Sequence, residues 1–132
     1  MMSANIGNIV LVWTTYPADG DPTALARVLV EERLAACVSV QRGLRSVYRW
    51  ADAVETANEQ QLTIKTTRDC LDELRRKLTE MHPYDLPEFL VTPVEGGEAY
   101  VEWVLASTGS DRGARRERPL WAQSAGDHTE GS

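Results

Sequence analysis

Cysteine and histidine are scarce in this chain of 132 residues, which contains two of each. The two cysteines, Cys37 and Cys70, are too few for a disulfide framework, and each lies within an apolar periodic pattern that predicts a buried free thiol. Paired cysteines at zinc-site spacing, a glycine-rich phosphate loop and a nucleophile elbow are all missing. These absences argue against a zinc-finger domain, a nucleotide-binding loop and a serine hydrolase.

Long apolar runs and an excess of positive charge are also missing. No run approaches the roughly 18 apolar residues that span a membrane, and the first residues lack the charged and apolar regions of a secretory signal. We therefore expect a cytoplasmic protein with no membrane partner. Lysine and arginine number 14 against 20 aspartates and glutamates, which gives a net charge of −6. Nucleic-acid binding normally requires a basic face, so we expect no nucleic-acid partner.

The hydrophobic pattern predicts elements in the order β-α-β-β-α-β, followed by one more helix. In chain order these are a strand at residues 8–16, a helix to about Leu34, two strand-like arms at 36–50 and 51–67, a helix at 68–81, a strand at 89–94 and a helix at 98–107. This order is that of an α+β, ferredoxin-like fold, in which two helices cover one face of an antiparallel sheet. We expect the last helix and a neighbouring subunit to cover the other face.

The helix boundaries have their own signals. Asp21 followed by Pro22 has the pattern of an N-cap with proline in the first helical turn. Thr66 or Thr67 is the predicted cap of the second helix, and Pro83 ends it. We expect residues 1–108 to form one domain. Residues 109–132 are rich in glycine, serine and charged side chains, which predicts a polar, mobile C-terminal tail.

The two arms form a predicted hairpin linked by residues 51–53. Each arm is much longer than the usual strand of about five or six residues. Gly43 marks a predicted bulge or bend within the first arm. Arms of this length must project beyond a small core, and their unpaired backbone is a surface that another subunit can cover.

The stretch MHPYDLPEFLV, residues 81–91, contains the best single candidate for a functional residue, His82. A neutral imidazole binds borderline cations such as Cu²⁺ or Zn²⁺. Pro83 and Pro87 stiffen the backbone around it, while Asp85 and Glu88 offer oxygen ligands. In the alternative interpretation His82 caps the carbonyls of the preceding helix and the prolines end that helix. We favour this structural role, because one histidine supplies only part of a metal site.

Aromatic and basic side chains near the hairpin tip form a second candidate site. Tyr48 and Trp50 alternate with Arg45 and Arg49, so the two pairs lie on opposite faces of the arm. Aromatic side chains of this kind are typical of an interface, although they could also pack on the sheet. Lys65 lies at the end of a strand that is predicted to be buried. At this position it could bind an anion or extend its ammonium group to solvent.

Several of these stretches together resemble the CutA divalent-cation tolerance family. The motifs are VEERLAACVSV, SVYRW, LTIKTT, HPYDLPE and PVEGG followed by YVEWV, in that order, over about residues 8–107. The resemblance implies a homotrimer with long intersubunit hairpins and an architecture similar to PII signalling proteins. It also implies a cleft between subunits, lined by the family's signature positions Tyr48, Trp50, Lys65, His82, Pro83, Tyr84, Pro87 and Glu88.

The resemblance implies a function connected with divalent metal ions. Some bacterial members are described as binding copper through a cysteine together with the equivalents of His82 and Glu88. Thr14 stands at the cysteine position here, so we expect only weak binding of Cu²⁺ or another divalent cation. The alternative is a PII-like sensor or adaptor whose cleft takes a small anionic metabolite or a protein partner, with Lys65, Tyr84 and Trp50 as contacts. We expect no enzyme, because no nucleophile lies beside a base.

Overall fold

A computed structural model describes residues 8–109 of the chain. The elements in this range are β1 (Ile9–Pro17), α1 (Thr23–Glu31), β2 (Cys37–Trp50), β3 (Ala53–Thr67), a 3-10 turn (Arg68–Cys70), α2 (Leu71–Met81), β4 (Leu90–Pro93) and α3 (Glu98–Ser107). The strands form one sheet in the order β2-β3-β1-β4, and every neighbouring pair is antiparallel. The predicted ferredoxin-like α+β fold is confirmed.

The core consists of two apolar clusters, one on each face of the sheet. The larger cluster joins α1 and α2 to β1 and β3, where alternate strand residues point towards the helices. Its members include Val10, Val12, Leu25, Leu29, Leu62, Ile64, Leu74 and Leu78. The smaller cluster seats α3 against β1 through Val101, Val104 and Ile9. As predicted, the last helix therefore covers part of the second face.

The hairpin arms are paired to their tips, where Trp50 lies opposite Ala53. Ala51 and Asp52 have φ angles of 51° and 70°, as the two-residue turns favoured in hairpins require. The pairing register shifts between Gln41 and Leu44, and Gly43 lies within this bulge with φ of 89°. The bulge predicted at this glycine is confirmed, and it bends the arms past the core.

Periodicity predicts that helix α1 ends at about Leu34, but the helix ends earlier, at Glu31. Arg33 has φ of 63°, and the backbone N–H of Leu34 donates to the Leu29 carbonyl at 2.9 Å. This turn buries Leu34 and directs the chain into β2, so tertiary packing overrides the helical pattern. At the other end Pro22 holds the N-cap position predicted for Asp21. The Asp21 carboxylate still accepts from the Thr23 N–H at 3.0 Å.

Thr67, one of the two predicted caps, is the N-cap of the 3-10 turn that leads into α2, but its side chain makes no capping hydrogen bond, and the α-helix itself begins three residues later than predicted. A 3-10 turn follows Thr67, and Cys70 occupies the N-cap position of α2. The Thr66 hydroxyl donates instead to the Leu34 carbonyl at 2.7 Å, which ties β3 to the turn after α1. Cys70 is buried as predicted, whereas Cys37 is only half-buried at the start of an edge strand.

The predicted mobile tail lies outside the described residues, apart from Gly109. That residue is joined to Arg33 by two hydrogen bonds of 3.0 Å each, one from its own N–H and one from the guanidinium Nε to its carbonyl. Arg33 also donates to the Ala106 carbonyl at the end of α3. Within residues 8–109, every helix is too short or too polar to cross a bilayer.

Gly43→Ala should lower the free energy of unfolding by about 1–2 kcal/mol, because a side chain at this positive φ is strained even though the surrounding space is open. Gly43→Asn is the matched control, since asparagine adopts a positive φ more readily than alanine and should cost less at the same open site. Denaturant unfolding at fixed protein concentration measures both changes. Equal losses in the two variants would contradict a strained bulge.

Candidate functional site

A cavity of about 620 Å³ lies between the hairpin arm and the loop that follows α2. We call it the arm cleft. Ser46, Tyr48 and Trp50 reach it from one face of β2, because alternate residues of a strand share a face. The complete lining is Thr15, Ser46, Tyr48, Trp50, Glu59, Pro83, Tyr84, Asp85, Leu86, Pro87 and Glu88. The cleft therefore joins the arm, β1, β3 and the proline-rich loop.

His82 lies beneath the cleft and anchors the loop. Its side chain is only 8% exposed. The Tyr84 backbone N–H donates to Nδ1 at 3.0 Å, so in the neutral ring Nε2 carries the proton and donates to the Thr15 carbonyl at 2.6 Å. The ring thus bonds to β1 and to its own loop, and not to the last carbonyls of α2. Both ring nitrogens are occupied.

The surroundings of His82 favour the neutral imidazole. Burial lowers the pKa of His82 below its ordinary value, although the Thr15 carbonyl and the Glu59 charge act in the opposite direction. The ring also contacts Tyr16 edge-on, with centroids 5.2 Å apart, and Tyr84 at 5.0 Å. A charged ring would lose the Tyr84 hydrogen bond, because Nδ1 would then carry a proton of its own.

Glu59 is a buried acid at the base of the arm, with 7% of its surface exposed. Its two carboxylate oxygens accept hydrogen bonds from the Ser46 hydroxyl at 2.6 Å and from the Tyr84 hydroxyl at 2.7 Å. Burial, the hydrogen bond to Glu59 and the charge of that residue raise the pKa of Tyr84 well above its ordinary value. Tyr84 therefore remains a donor, and its ring is held over the arm.

Glu88 is half-buried in the cleft, and its carboxylate has no hydrogen bond or ion pair within residues 8–109. Burial, and secondly the charge of Glu59, raise the pKa of Glu88 above its ordinary value. Asp85 is the third acidic residue of the lining, and the lining contains no lysine or arginine. The cleft is therefore acidic, and the half-buried Glu88 carboxylate has no positive partner in the described part of the chain.

Of the predicted site residues, six line the arm cleft: Tyr48, Trp50, Pro83, Tyr84, Pro87 and Glu88. Tyr48 and Trp50 stay 43% and 56% exposed instead of packing on the sheet. Sequence reasoning missed four residues of the lining, namely Thr15, Ser46, Glu59 and Leu86. Strand alternation with Tyr48 could have identified Ser46, whereas no pattern marks Glu59.

Lys65 lies elsewhere in the protomer. It is six positions along β3 from Glu59, roughly 20 Å away by the rise of a strand. Its ammonium group donates to the Tyr100 hydroxyl of α3 at 3.3 Å. Burial acts to lower the pKa of Lys65, but the hydrogen bond and the nearby Cys37 thiol outweigh it and raise the pKa. Lys65 therefore adds no positive charge to the cleft of its own protomer.

Thr14 is fully buried, and its hydroxyl has no hydrogen-bond partner in the part of the chain that the structure describes. It does not line the arm cleft. Among residues 8–109, histidine, cysteine, aspartate and glutamate side chains do not gather in any group of three that could hold a metal ion. The chemistry that the cleft offers is the attraction of a positive charge by Glu88 and Glu59 between aromatic walls.

Comparison with known proteins gives a consistent result. The model of the family described as CutA1 divalent ion tolerance protein matches residues 10–107. The divalent-cation tolerance protein CutA of Thermus thermophilus is 39% identical over 100 residues, which cover 75% of this chain and 97% of that protein. The chloroplastic protein CutA of Arabidopsis thaliana is 38% identical over 100 residues, which cover 75% of this chain and 55% of that protein. The crystal structure of CutA1 from Oryza sativa superposes with a TM-score of 0.75 at 36% identity, covering 82% of this chain and 100% of that one.

The depressed pKa of His82 predicts that acid weakens the fold. The unfolded chain takes up a proton near pH 6.5, the ordinary histidine value, whereas the folded chain takes it up only at lower pH. The stabilisation is therefore complete above pH 6.5 and decreases as the pH falls through that value. Denaturant unfolding between pH 7.5 and about 5.5 measures the decrease.

His82→Asn should flatten this pH dependence and cost about 1–3 kcal/mol at pH 7.5, because buried hydrogen bonds are lost or weakened. His128→Asn is the matched control, since it removes the chain's only other imidazole. If His128→Asn rather than His82→Asn flattened the profile, the assignment to His82 would be wrong.

Proposed function

Because the chain belongs to the CutA1 divalent ion tolerance protein family, we propose that it acts in the response to divalent metal ions as a homotrimer that binds such an ion weakly in the arm cleft. The observation that carries this proposal is the Glu88 carboxylate, half-buried beside Glu59 without a positive partner among residues 8–109. Two carboxylates that are close together and partly desolvated are destabilised by their mutual repulsion and by the loss of water. A cation between them reduces both of these energies.

The ligand set explains why binding would be weak. Dedicated metal sites assemble three or four protein ligands or more, whereas the cleft offers Glu88 and, in part, Glu59. Both oxygens of Glu59 already accept hydrogen bonds from Ser46 and Tyr84. Hard ions can use the carboxylates alone, while Cu²⁺ favours an imidazole. Copper binding by His82 would therefore require Nδ1 to exchange the Tyr84 N–H for the metal.

Isothermal titration of metal-stripped protein with Mn²⁺ and with Cu²⁺ tests the proposal. Glu88→Gln should weaken binding of both ions by about tenfold or more, because it removes the unneutralised carboxylate. His82→Asn should weaken the binding of both ions, because His82 anchors the loop of the cleft, and it should weaken Cu²⁺ binding more than Mn²⁺ binding. Glu95→Gln, at an exposed glutamate outside the cleft, is the matched control. Absence of binding, or equal effects of Glu88→Gln and Glu95→Gln, would overturn the metal site.

The alternative function is a PII-like sensor or adaptor. An anionic metabolite in the arm cleft would meet Glu59, Asp85 and Glu88 with no basic residue in the lining, so we rank it second. A protein partner is favoured by the exposed rings of Tyr48 and Trp50. We propose no catalytic step. A cytoplasmic location stays a prediction, since the name of the Arabidopsis relative assigns that protein to the chloroplast.

The trimer is proposed from the apolar residues that the protomer leaves exposed. Val47 and Val54 are each 66% exposed and share the face of the arm that points away from the cleft, because Val54 pairs with Arg49. Leu86, Leu90 and Val91 are exposed on the loop and on the edge strand β4. Large apolar side chains at sheet edges are typical of surfaces that another chain covers.

Val54→Glu should shift the assembly from three times the chain mass towards one, because it places a charge on the apolar face of the arm. Light scattering coupled to size-exclusion chromatography, over a range of concentrations, measures the mass. Thr79→Glu introduces the same charge on the exposed surface of α2 and should leave the mass unchanged. A wild-type protein with the mass of a single chain would contradict the proposed trimer.

A further inference from the structure

We propose that the arm cleft also binds an organic ammonium ion, with its N–H groups directed at Glu88 and Thr15 and its alkyl chain against the rings of Trp50 and Tyr48. This inference rests on the cation preference proposed for the same cleft. It adds a class of ligand that the metal proposal does not explain, and three features of the cleft lead to it.

The size of the cavity is the first feature. Its volume of about 620 Å³ lies within the range of about 300–1,000 Å³ that is usual for small organic ligands. A metal ion with oxygen ligands at about 2.0–2.6 Å fills only a small part of such a space. The remaining volume has apolar walls from Pro83, Leu86 and Pro87, which suit an alkyl chain better than a shell of water.

The aromatic walls are the second feature. Tyr48 and Trp50 stand on the cleft face of β2, and neither ring makes a ring–ring or ring–cation contact within residues 8–109. Exposed aromatic faces beside carboxylates attract organic cations through the ring quadrupole, and tryptophan does so most strongly. A small hydrated metal ion gains less from such a ring than an alkylammonium ion, which also buries its carbon atoms there.

The polar groups of the cleft are the third feature. Glu88 has no positive partner among residues 8–109, and Thr15 is only 8% exposed where it lines the cleft. The Thr15 hydroxyl has no hydrogen bond within the described part of the chain, although its carbonyl is bonded to His82. The Thr15 hydroxyl and the unpaired Glu88 carboxylate are acceptors that an N–H-bearing cation satisfies together.

Titration of the metal-stripped, full-length protein with butylammonium, followed by NMR of the tryptophan indole N–H signals, tests the inference. We expect saturable binding that shifts the indole N–H signal of Trp50. That signal is identified as the one missing from the spectrum of Trp50→Leu. Butan-1-ol, which replaces the ammonium group by a hydroxyl, should bind at least tenfold more weakly. Equal binding of the alcohol would overturn the inference without requiring any variant, because the site would then select apolar chains and not cations.

Trp50→Leu and Glu88→Gln should each weaken butylammonium binding about tenfold. Glu95→Gln, at an exposed glutamate outside the cleft, is the matched control for Glu88→Gln and should leave butylammonium binding unchanged. Because Trp50 supplies no metal ligand, Trp50→Leu should weaken Mn²⁺ binding much less than butylammonium binding, which separates the two proposals. Mn²⁺ binding without butylammonium binding would overturn this inference alone. If Glu88→Gln bound Mn²⁺ and butylammonium as tightly as the wild type does, both proposals would be overturned.

Discussion

The hydrogen bonds of His82 are the interaction on which the arm cleft depends. Pairing between β4 and β1 stops at Trp13, and two residues further along β1 the Thr15 carbonyl is bonded by the imidazole instead of by a strand. The other ring nitrogen holds the Tyr84 N–H, so one side chain fixes the loop to the sheet. Tyr84 in turn reaches Glu59 on β3. The wall of the cleft is therefore held by a chain of three hydrogen bonds from β1 to the arm.

This chain of hydrogen bonds also sets the charge of the cleft. Two hydroxyls donate hydrogen bonds to the buried Glu59 carboxylate, and the charge of Glu59 acts on Glu88 across the cavity. A protein selected only for stability would neutralise Glu88 or expose it fully. A half-buried carboxylate that has no positive partner in residues 8–109, beside open aromatic rings, lowers the stability of the free protein. The binding of a positive charge would recover that energy, and this is the reason for proposing the cleft as a site for cations.

Periodicity and turn residues were sufficient to predict the fold from the sequence, because each element has its own local signal. The bulge at Gly43 and the end of α2 before Pro83 are of this kind. The end of α1 was not predictable in the same way, since its apolar pattern continues to Leu34 while the turn at Arg33 depends on packing against β3. The candidate site was predictable only in part. His82 and the arm aromatics stand out in the sequence, but Glu59 has no pattern, and the contact between His82 and Thr15 spans 67 positions.

The two faces of the arm connect assembly with binding. Tyr48 and Trp50 face the cleft, while Val47 and Val54 face away from it, so one hairpin serves the ligand and the proposed trimer contact with alternate residues. An isolated two-stranded arm is only marginally stable in water. Contacts with a neighbouring subunit along the valine face would fix the arm and, with it, the position of the aromatic rings. The free protomer would have to order its arm before the aromatic rings and Glu88 could bind a ligand together. Ligand affinity would therefore decrease at protein concentrations below the midpoint of trimer formation.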